Sequence, residues 1–513
     1  MCLWVWKLEQ GQIGEPRIEA PLLNLHEDHS VTADIQALAK GGRTNVAGFF
    51  IRLMARIPFL FIGAHWYGAE ALGRLAYAIL IVEFAAQIAT LGLKRGLALH
   101  LTGDGKENGA WDAVLVVLGA TLIPTALLMM FPQIMFPNSV IKPLDYLLPL
   151  IIPALALSDV MLAALAYRFD VKSSVRARAV IEPWTISIGA AALWWWVPSD
   201  GLLVAYALSM AAALMASLVP FLKSYGLPRN WTPRGSELYA LMRRNGPLAA
   251  ADAIEWASRR IDLAILGLFV SPATVGIYWV AQQIASLPQK LKTSFDPVLG
   301  PVITRKLEEG DRPSVAHQIS QVGFWILAAQ LGVALALGIP GEALMGLIGP
   351  GRDFVGGNGA LVLLLAAEVV AAVAVVSEAA LVYIARHRNM LISAGMIGLQ
   401  IALTFSFVIT LRAYGFPELY QAAGAAGALV IALGVSSLIK VRLAAHVLAT
   451  PISIWRTALP MAAAVATLVG YVVVRGPQWA EVSFGIPAIL LAYGAIIWRY
   501  GFKREDRVLF RKP

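Results

Sequence analysis

The chain has 513 residues, of which 58% are hydrophobic and only 14% are charged, and its mean hydropathy is +0.69. Soluble globular proteins usually carry about 25% charged residues, so this composition excludes a soluble globule. The formal net charge is +9 at pH 7, and the single cysteine, Cys2, excludes an intrachain disulfide. These properties predict an all-α polytopic membrane protein.

Apolar stretches of spanning length follow one another along nearly the whole chain. A transmembrane helix needs about 20 apolar residues, and hydropathy predicts about 14 such helices, near 46–66, 75–93, 111–131, 146–166, 182–197, 202–221, 247–269, 275–293, 318–340, 360–384, 390–411, 420–438, 457–474 and 483–499. The predicted organisation is an N-terminal tail (1–40), a first six-helix lobe (41–222), a linker (223–246), a second six-helix lobe (247–445), two further helices (446–500) and a C-terminal tail (501–513).

The distribution of basic residues predicts the orientation of these spans. With the N-terminus in the cytoplasm, 32 of the 41 Lys and Arg residues fall in inner segments, and the outer loops hold only Arg74, Lys142, Arg352, Arg412 and Arg475. Because cytoplasmic loops are enriched in Lys and Arg, we expect both termini and the linker to be cytoplasmic. The positive charge then belongs to that face and not to a nucleic-acid-binding surface.

Four arginines fall inside predicted spans, where an unpaired charge is costly. Arg52 and Arg56 lie in the first span, and Arg259 and Arg260 lie in the seventh. Arg52 and Arg56 are one helical turn apart, so they repel each other unless an anion or an acidic side chain lies between them. A guanidinium binds phosphate oxygens bidentately and stays charged at any relevant pH. The four arginines are therefore candidate ligands for a multivalent anion.

The seventh span, at 247–269, is unusually polar because it also contains three acidic residues. Asp252, Glu255 and Asp262 share one helix face with Arg259. This pattern predicts a single charged stripe that points into the bundle or into water. The acids are either charge partners within a cavity that binds an anion, or they neutralise the arginines, together with Glu83, as interhelical ion pairs.

A weak internal repeat links the two predicted lobes. Residues 71–78 (ALGRLAYA) align with 274–281 (TVGIYWVA) at an offset of 203 positions, and the same offset places Arg56 opposite Arg259. Many secondary transporters consist of two repeats whose substrate site lies between them near the bilayer midplane. We therefore expect a basic cavity between the two lobes.

Isolated carboxylates inside other spans are candidates for ion coupling. Glu83, Asp159 and Glu368 lie in the second, fourth and tenth predicted spans. A carboxylate there is costly in lipid, and its desolvation favours proton uptake. The candidate coupling ions are H+ and Na+, and hydrogen bonding between helices is the alternative explanation.

Three segments carry a family resemblance. Residues 275–311 (VGIYWVAQQIASLPQKLKTSFDPVLGPVITRKLEEGD) resemble the start of the second lobe in polysaccharide-exporting flippases of the Wzx type. Residues 41–63 (GGRTNVAGFFIRLMARIPFLFIG) and 344–365 (LMGLIGPGRDFVGGNGALVLLL) look similar to the corresponding parts of that family. These flippases belong to the multidrug/oligosaccharidyl-lipid/polysaccharide exporter superfamily, which also includes multidrug extruders and the flippase for the peptidoglycan lipid precursor.

The resemblance implies a V-shaped, two-lobed bundle in the bacterial inner membrane. Such a protein moves an undecaprenyl-pyrophosphate-linked oligosaccharide to the outer leaflet, with central arginines on the pyrophosphate and the sugar in a wet cavity. A polysaccharide polymerase and a chain-length regulator are candidate partners, besides membrane lipids. The last two helices resemble a pair that forms a lipid-tail groove in the peptidoglycan-precursor flippase, although ordinary packing or partner contact explains them equally well.

Other functions receive less support from the sequence. The glycine-rich segment 349–359 lacks the strand-loop-helix context of a phosphate-binding loop. The seven histidines have no metal-ligand spacing, and no nucleophile and base are arranged for catalysis, so we expect neither a cofactor nor an enzyme. The alternatives are a multidrug or other lipid-precursor antiporter of the same superfamily, and a non-transporting scaffold for polysaccharide assembly.

Overall fold

A computed structural model of the protein describes residues 57–101, 108–228, 231–293, 303, 306–307, 309–503 and 506, without the side chains of 289–293 and 352. This part of the chain contains helices and no strand, which confirms the predicted all-α class. All of it belongs to one compact unit, Ile51–Pro513.

The first half of the chain forms six principal helices. They are α1 (Gly68–Ala89), α2 (Leu93–Leu101), α3 (Gly109–Met130), α4 (Ile151–Tyr167), α5 (Glu182–Leu193) and α6 (Gly201–Tyr225). A 3-10 helix (Pro143–Leu150) leads into α4, and a π-helical segment (Arg176–Ile181) leads into α5. The second of these segments was predicted to be part of a loop.

Besides short helices at Gly341–Ile348, Arg352–Gly356 and Gln478–Ala480, the described part of the second half forms nine further helices. They are α7 (Gly235–Ser258), α8 (Ile261–Leu266), α9 (Pro272–Thr293), α10 (Arg312–Gly338), α11 (Asn358–Ile384), α12 (Arg386–Ala413), α13 (Glu418–Leu448), α14 (Ala458–Val473) and α15 (Ile486–Ile496). Within the described ranges, nine helical segments are long and apolar enough to cross a membrane, and α14 is a shorter apolar helix. The chain is thus a multi-pass membrane protein.

The seventh predicted span is not one continuous helix. Helix α7 begins at Gly235, 12 positions before the predicted start, and ends at Ser258. The amides of Arg259 and Arg260 then bond to the carbonyls three residues back, at 3.3 and 3.0 Å, and α8 starts only after this turn. The prediction of a single charged stripe is therefore wrong, because the break in the helix separates Asp262 on α8 from Asp252 and Glu255 on α7.

Arg74 lies inside α1 and not in the predicted outer loop. Its guanidinium bonds to both oxygens of Asp145, at 2.9 and 3.1 Å, and to the carbonyl of Val140 at 2.8 Å. Asp145 is fully buried and also accepts a hydrogen bond from the amide of Lys142 at 2.7 Å. The ion pair lets α1 extend beyond the predicted span because it neutralises the buried cation.

The two repeat segments meet at a close crossing of α1 and α9. Gly73 and Gly276 occupy equivalent positions of the repeat, and each faces the backbone of the other helix. A Cβ on Gly73 would lie 1.7 Å from the carbonyl oxygen of Pro272, and one on Gly276 would lie 2.2 Å from that of Ala69. Only glycine allows this approach, which joins the first and second halves of the chain.

We predict that Gly73→Ala or Gly276→Ala forces α1 and α9 apart. The new methyl group meets backbone atoms that cannot rotate away, so overpacking should cost about 1–3 kcal/mol. Thermal unfolding in detergent measures the loss. Gly119→Ala on α3 is the matched control, since no atom lies within 4 Å of its Cβ position. Equal stability of all three variants would contradict the crossing.

Two hydrophobic clusters form the core. The larger one joins α1, α3, α4 and α6 with α9 and parts of α11 and α13. The smaller one packs α10 against α11, α14 and α15. The last two helices are thus anchored on the second half of the chain.

The C-terminal tail is attached to this smaller cluster by Asp506. Its carboxylate accepts hydrogen bonds from Arg456 at 2.5 Å, from the indole of Trp325 at 2.9 Å and from Gln321 at 3.0 Å. These donors stabilise the charged form and lower the pKa of Asp506 to about 2, although burial opposes the shift. The contact therefore requires an ionised carboxylate.

We predict that acid releases this tail. A carboxylate with a lowered folded-state pKa contributes its stabilisation above its unfolded pKa, about 3.9, and loses it as the pH falls toward about 2. An acid-stable protease that cuts after residue 501 should cleave the wild type increasingly as the pH falls through that range, and most rapidly below it. Asp506→Asn should be cleaved equally at every pH, and a protected Asn variant would rule out the carboxylate as the anchor.

Candidate functional site

A cavity of about 670 Å³ lies between α1, α4, α5 and α6, next to the facing parts of α7 and α9. Ligand sites in proteins have volumes of roughly 300–1,000 Å³, so a polar headgroup fits. The described side chains that line it and carry a charge at neutral pH are Glu83, Lys94, Asp159, Arg178, Glu182 and Arg260. Three cations and three carboxylates thus face one space.

Four of these charges form one cluster around Asp159. Lys94 donates to one oxygen of Asp159 at 3.2 Å, and Arg178 makes a very short hydrogen bond to the other. Arg178 also donates to Glu182 at 2.7 Å. The guanidinium therefore lies between two carboxylates, and Asp159 lies between two cations.

The π-helical segment Arg176–Ile181 positions Arg178. The carboxylate of Asp170 starts this helical stretch by accepting hydrogen bonds from the amide and hydroxyl of Ser173, at 3.1 and 2.6 Å. The stretch then runs without interruption into α5, which places Glu182 one turn after Arg178. Single π-turns are frequent at functional sites because they shift side chains out of the regular helix register.

Arg260 connects the second half of the chain to this cavity. Its guanidinium donates to Glu83 on α1 at 2.6 Å and lies 5.0 Å from the ring centre of Trp256. The turn after α7 directs the side chain toward α1. Arg260, which was predicted for the cavity, and Glu83, which was predicted as an ion-coupling candidate or an ion-pair partner of the arginines, therefore meet in the cavity as an ion pair.

Arg259 does not line the cavity. Its side chain is 55% exposed and bonds to Glu255 at 3.1 Å. Glu255 also binds Arg95 on α2 at 2.7 Å. Arg95 in turn contacts the buried carboxylate of Asp252 at 3.1 Å. Asp252 and Glu255 thus pair with Arg95, a residue that hydropathy places in an inner loop.

Asp262 and Glu368 are also outside the cavity lining. Asp262 is fully buried on α8 and accepts hydrogen bonds from Tyr278 at 2.6 Å and Gln282 at 2.9 Å. Glu368 is half-buried within α11. Arg52 and Arg56 lie outside the described residues, and the described lining by itself is charge-balanced and not basic.

Sequence reasoning missed Lys94, Arg178 and Glu182. Lys94 and Arg178 both fall between predicted spans, so their positions in the sequence indicate loop residues. Two signals pointed to them: Asp159 needs a cationic partner inside an apolar span, and Arg178 precedes Glu182 by four positions, the spacing of a helical ion pair. Neither signal says which cation approaches which acid.

We predict that Asp159 stabilises the cavity more than Glu182 does. Asp159→Asn removes the charge that faces two cations, whereas Glu182→Gln leaves Arg178 its contact with Asp159. The first change should lower the free energy of unfolding by about 1–3 kcal/mol, and the second by less. Thermal unfolding of the purified variants measures both.

A double-mutant cycle is the control for this prediction. Once Arg178→Met has removed the principal cation, Asp159→Asn should cost less than in the wild-type background, because the two side chains act as a pair. Additive losses would mean that the Asp159 cluster does not function as a coupled unit.

Comparison with known proteins agrees with this architecture. Residues 68–322 match a family model described as polysaccharide biosynthesis protein. The lipid II flippase MurJ in an inward closed conformation is similar to the chain, with a TM-score of 0.66 and 12% identity over 91% of this chain and 99% of that chain. No curated protein sequence matches significantly.

A second solved structure extends the similarity to multidrug transporters. A multidrug resistance MATE family transporter of the MOP superfamily, in an outward-facing conformation, matches with a TM-score of 0.53 and 14% identity over 80% of this chain and 94% of that chain. The chain therefore shares the fold of these two transporters. The family resemblance predicted from its sequence is confirmed by the family model that matches residues 68–322 and by this common fold.

Proposed function

We propose that the protein is a flippase for an undecaprenyl-pyrophosphate-linked oligosaccharide. It would move this lipid from the inner to the outer leaflet of the bacterial cytoplasmic membrane during the synthesis of O-antigen, capsule or exopolysaccharide. The family match over 68–322 and the likeness to a lipid II flippase fold support the proposal. Both termini would face the cytoplasm, as the basic residues predict.

The single observation that carries the proposal is the set of cations in the cavity. Lys94, Arg178 and Arg260 line one space of about 670 Å³. Two of them are arginines, whose planar fork matches phosphate oxygens. The pyrophosphate would bind here, and Arg52 and Arg56 stay proposed ligands from the sequence pattern alone. Arg259 was proposed from the same pattern, but its side chain lies outside this cavity lining.

The carboxylates give each of these cations a partner when no substrate is bound. A pyrophosphate that enters would replace Glu83 on Arg260 and would compete with Asp159 and Glu182 for Arg178. The exchange keeps each cation paired, so neither the empty nor the loaded cavity leaves an uncompensated cation inside the membrane. The displaced Glu83 loses its partner, so it must take up a proton or face water. Binding would then be moderate and reversible, which a transport cycle requires.

Alternating access would use contacts between the two halves on both sides of the α1–α9 crossing. On the predicted outer side, the side-chain amide of Asn138 donates to the backbone carbonyls of Gly267 and Val270 at 2.9 and 3.0 Å. On the predicted inner side, Arg95 joins α2 to Asp252 and Glu255 on α7. Opening either side breaks one set of contacts while the crossing persists.

The driving ion is a separate part of the proposal. Protonation of Glu83, or Na+ binding near it, would weaken its ion pair with Arg260, and the same change at Asp159 would weaken its ion pair with Arg178. Either change would favour the inward-facing or the outward-facing state over the other. Glu368 stays a candidate on sequence grounds.

A polymerase and a chain-length regulator would receive the product on the outer side, and α14 and α15 would contact the lipid tail or a partner.

The other functions fit the cavity less well. A multidrug antiporter needs carboxylates that are available to cationic drugs, whereas Glu83, Asp159 and Glu182 are each bound to a basic side chain. A non-transporting scaffold needs no polar cavity of this size. An antiporter for another lipid precursor would use the same cations, and only the headgroup of the transported lipid would differ.

We predict that Arg178→Ala abolishes export, with Arg176→Ala as the matched control on the same π-helical segment. Arg176 is exposed and does not line the cavity. Loss of a charge-assisted contact with phosphate costs about 1.5–3 kcal/mol, so the affinity for undecaprenyl diphosphate should fall by about one to two decades. Binding to purified protein and surface polysaccharide in a complemented deletion strain measure the two effects.

Arg259 and Arg260 provide a second matched pair. Arg260→Ala should weaken binding as Arg178→Ala does, because Arg260 lines the cavity, whereas Arg259→Ala should have a smaller effect. Lys at position 178 should rescue only partly, since an ammonium lacks the bidentate fork. Wild-type binding and export by both Arg178→Ala and Arg260→Ala would refute the proposed function.

A further inference from the structure

Two tryptophans stand out because they line the same polar cavity. Trp256 is on α7 and Trp279 is on α9, and both are half-buried. Trp279 lies in the eighth position of a 22-residue helix, away from the helix ends where interfacial aromatic belts occur. Ordinary interfacial anchoring therefore does not explain it.

Each indole is held by a second aromatic ring. Trp256 stacks on Phe84 with ring centres 5.1 Å apart and an interplanar angle of 27°. Trp279 meets Phe59 edge-on, with ring centres 6.3 Å apart and an angle of 86°. These contacts fix the orientation of both indoles while leaving each of them on the cavity wall, as in a preorganised binding surface.

The indoles lie beside the groups proposed to bind phosphate. The guanidinium of Arg260 is 5.0 Å from the ring of Trp256 and 2.6 Å from Glu83. An anion that takes the place of Glu83 on Arg260 would have an aromatic ring next to it. Any group linked directly to that anion would then be held close to the indole.

Amide side chains complete this part of the lining. Gln283 follows Trp279 by one helical turn on α9, and Gln87 follows Glu83 by one turn on α1, and both face the cavity. Residues four apart share a helix face. Amides can donate to and accept from hydroxyl groups, so an aromatic surface and hydroxyl-binding groups occur together.

We propose that Trp256 and Trp279 form a subsite for the first sugar of the lipid-linked substrate. This inference rests on the proposed function and adds the class of headgroup: a pyranose with C–H bonds exposed on one face. That face carries partial positive charge and is attracted to the negative face of an aromatic ring. Gln87 and Gln283 bind the hydroxyls at the edge of the ring, while the arginines bind the pyrophosphate.

The test compares two lipids that differ only in the sugar. Undecaprenyl diphosphate and undecaprenyl diphosphate N-acetylglucosamine are titrated against the purified full-length protein. The wild type should bind the sugar-bearing lipid more tightly. Trp256→Leu and Trp279→Leu, which keep an apolar side chain without the aromatic face, should each reduce that preference by about fivefold. Trp279→Leu should leave the affinity for the sugar-free lipid unchanged, whereas Trp256→Leu also removes the ring beside Arg260 and should lower that affinity by a smaller factor than the affinity for the sugar-bearing lipid.

Trp195→Leu is the matched control, since this indole is 78% exposed at the end of α5 and outside the cavity. It should bind both lipids as the wild type does. Equal affinity of the wild type for both lipids, or an equal loss for both lipids in the two cavity variants, would overturn the sugar subsite. Failure of the wild type to bind either lipid would instead overturn the proposed function as well.

Discussion

A charge inside a lipid bilayer must have a partner, and this requirement accounts for most of the polar structure of the protein. Arg74 pairs with Asp145, Arg178 with Asp159 and Glu182, and Arg260 with Glu83. Two of these pairs, Arg74–Asp145 and Arg260–Glu83, also join segments that are 71 and 177 positions apart in sequence. The need to neutralise charge therefore fixes how α1, α4 and α5 surround the cavity.

The same pairs suit a protein that handles an anionic lipid headgroup. Cations held by carboxylates are available to a phosphate only by exchange, so the empty site is stable and the loaded site is reversible. The glycine crossing of α1 and α9 complements this arrangement. At Gly73 and Gly276 no larger side chain fits between the two helices, so the two halves of the chain touch there through their backbones.

The cavity wall has two chemically different parts. Lys94, Asp159 and Arg178 supply charge, whereas Trp256 and Trp279 supply flat apolar surface with amides nearby. A substrate with a pyrophosphate joined to a sugar has the same two parts. Arg260 belongs to both, because it pairs with Glu83 and also lies over Trp256.

The sequence by itself determined the all-α membrane class, the repeat and the family resemblance, because hydropathy and the spacing of repeated residues are properties of a linear chain. It also identified Glu83, Asp159 and Arg260 as charges that need partners. Tertiary structure decided which partners they have: Arg178 reaches Asp159 from a π-helical segment and Lys94 reaches it from the start of α2, and hydropathy reads both places as loops. It also broke the seventh span at the Arg259–Arg260 turn, where Arg260 contacts Glu83, 177 positions away. Long-range ion pairs of this kind leave no local pattern, and only the folded chain brings their members together.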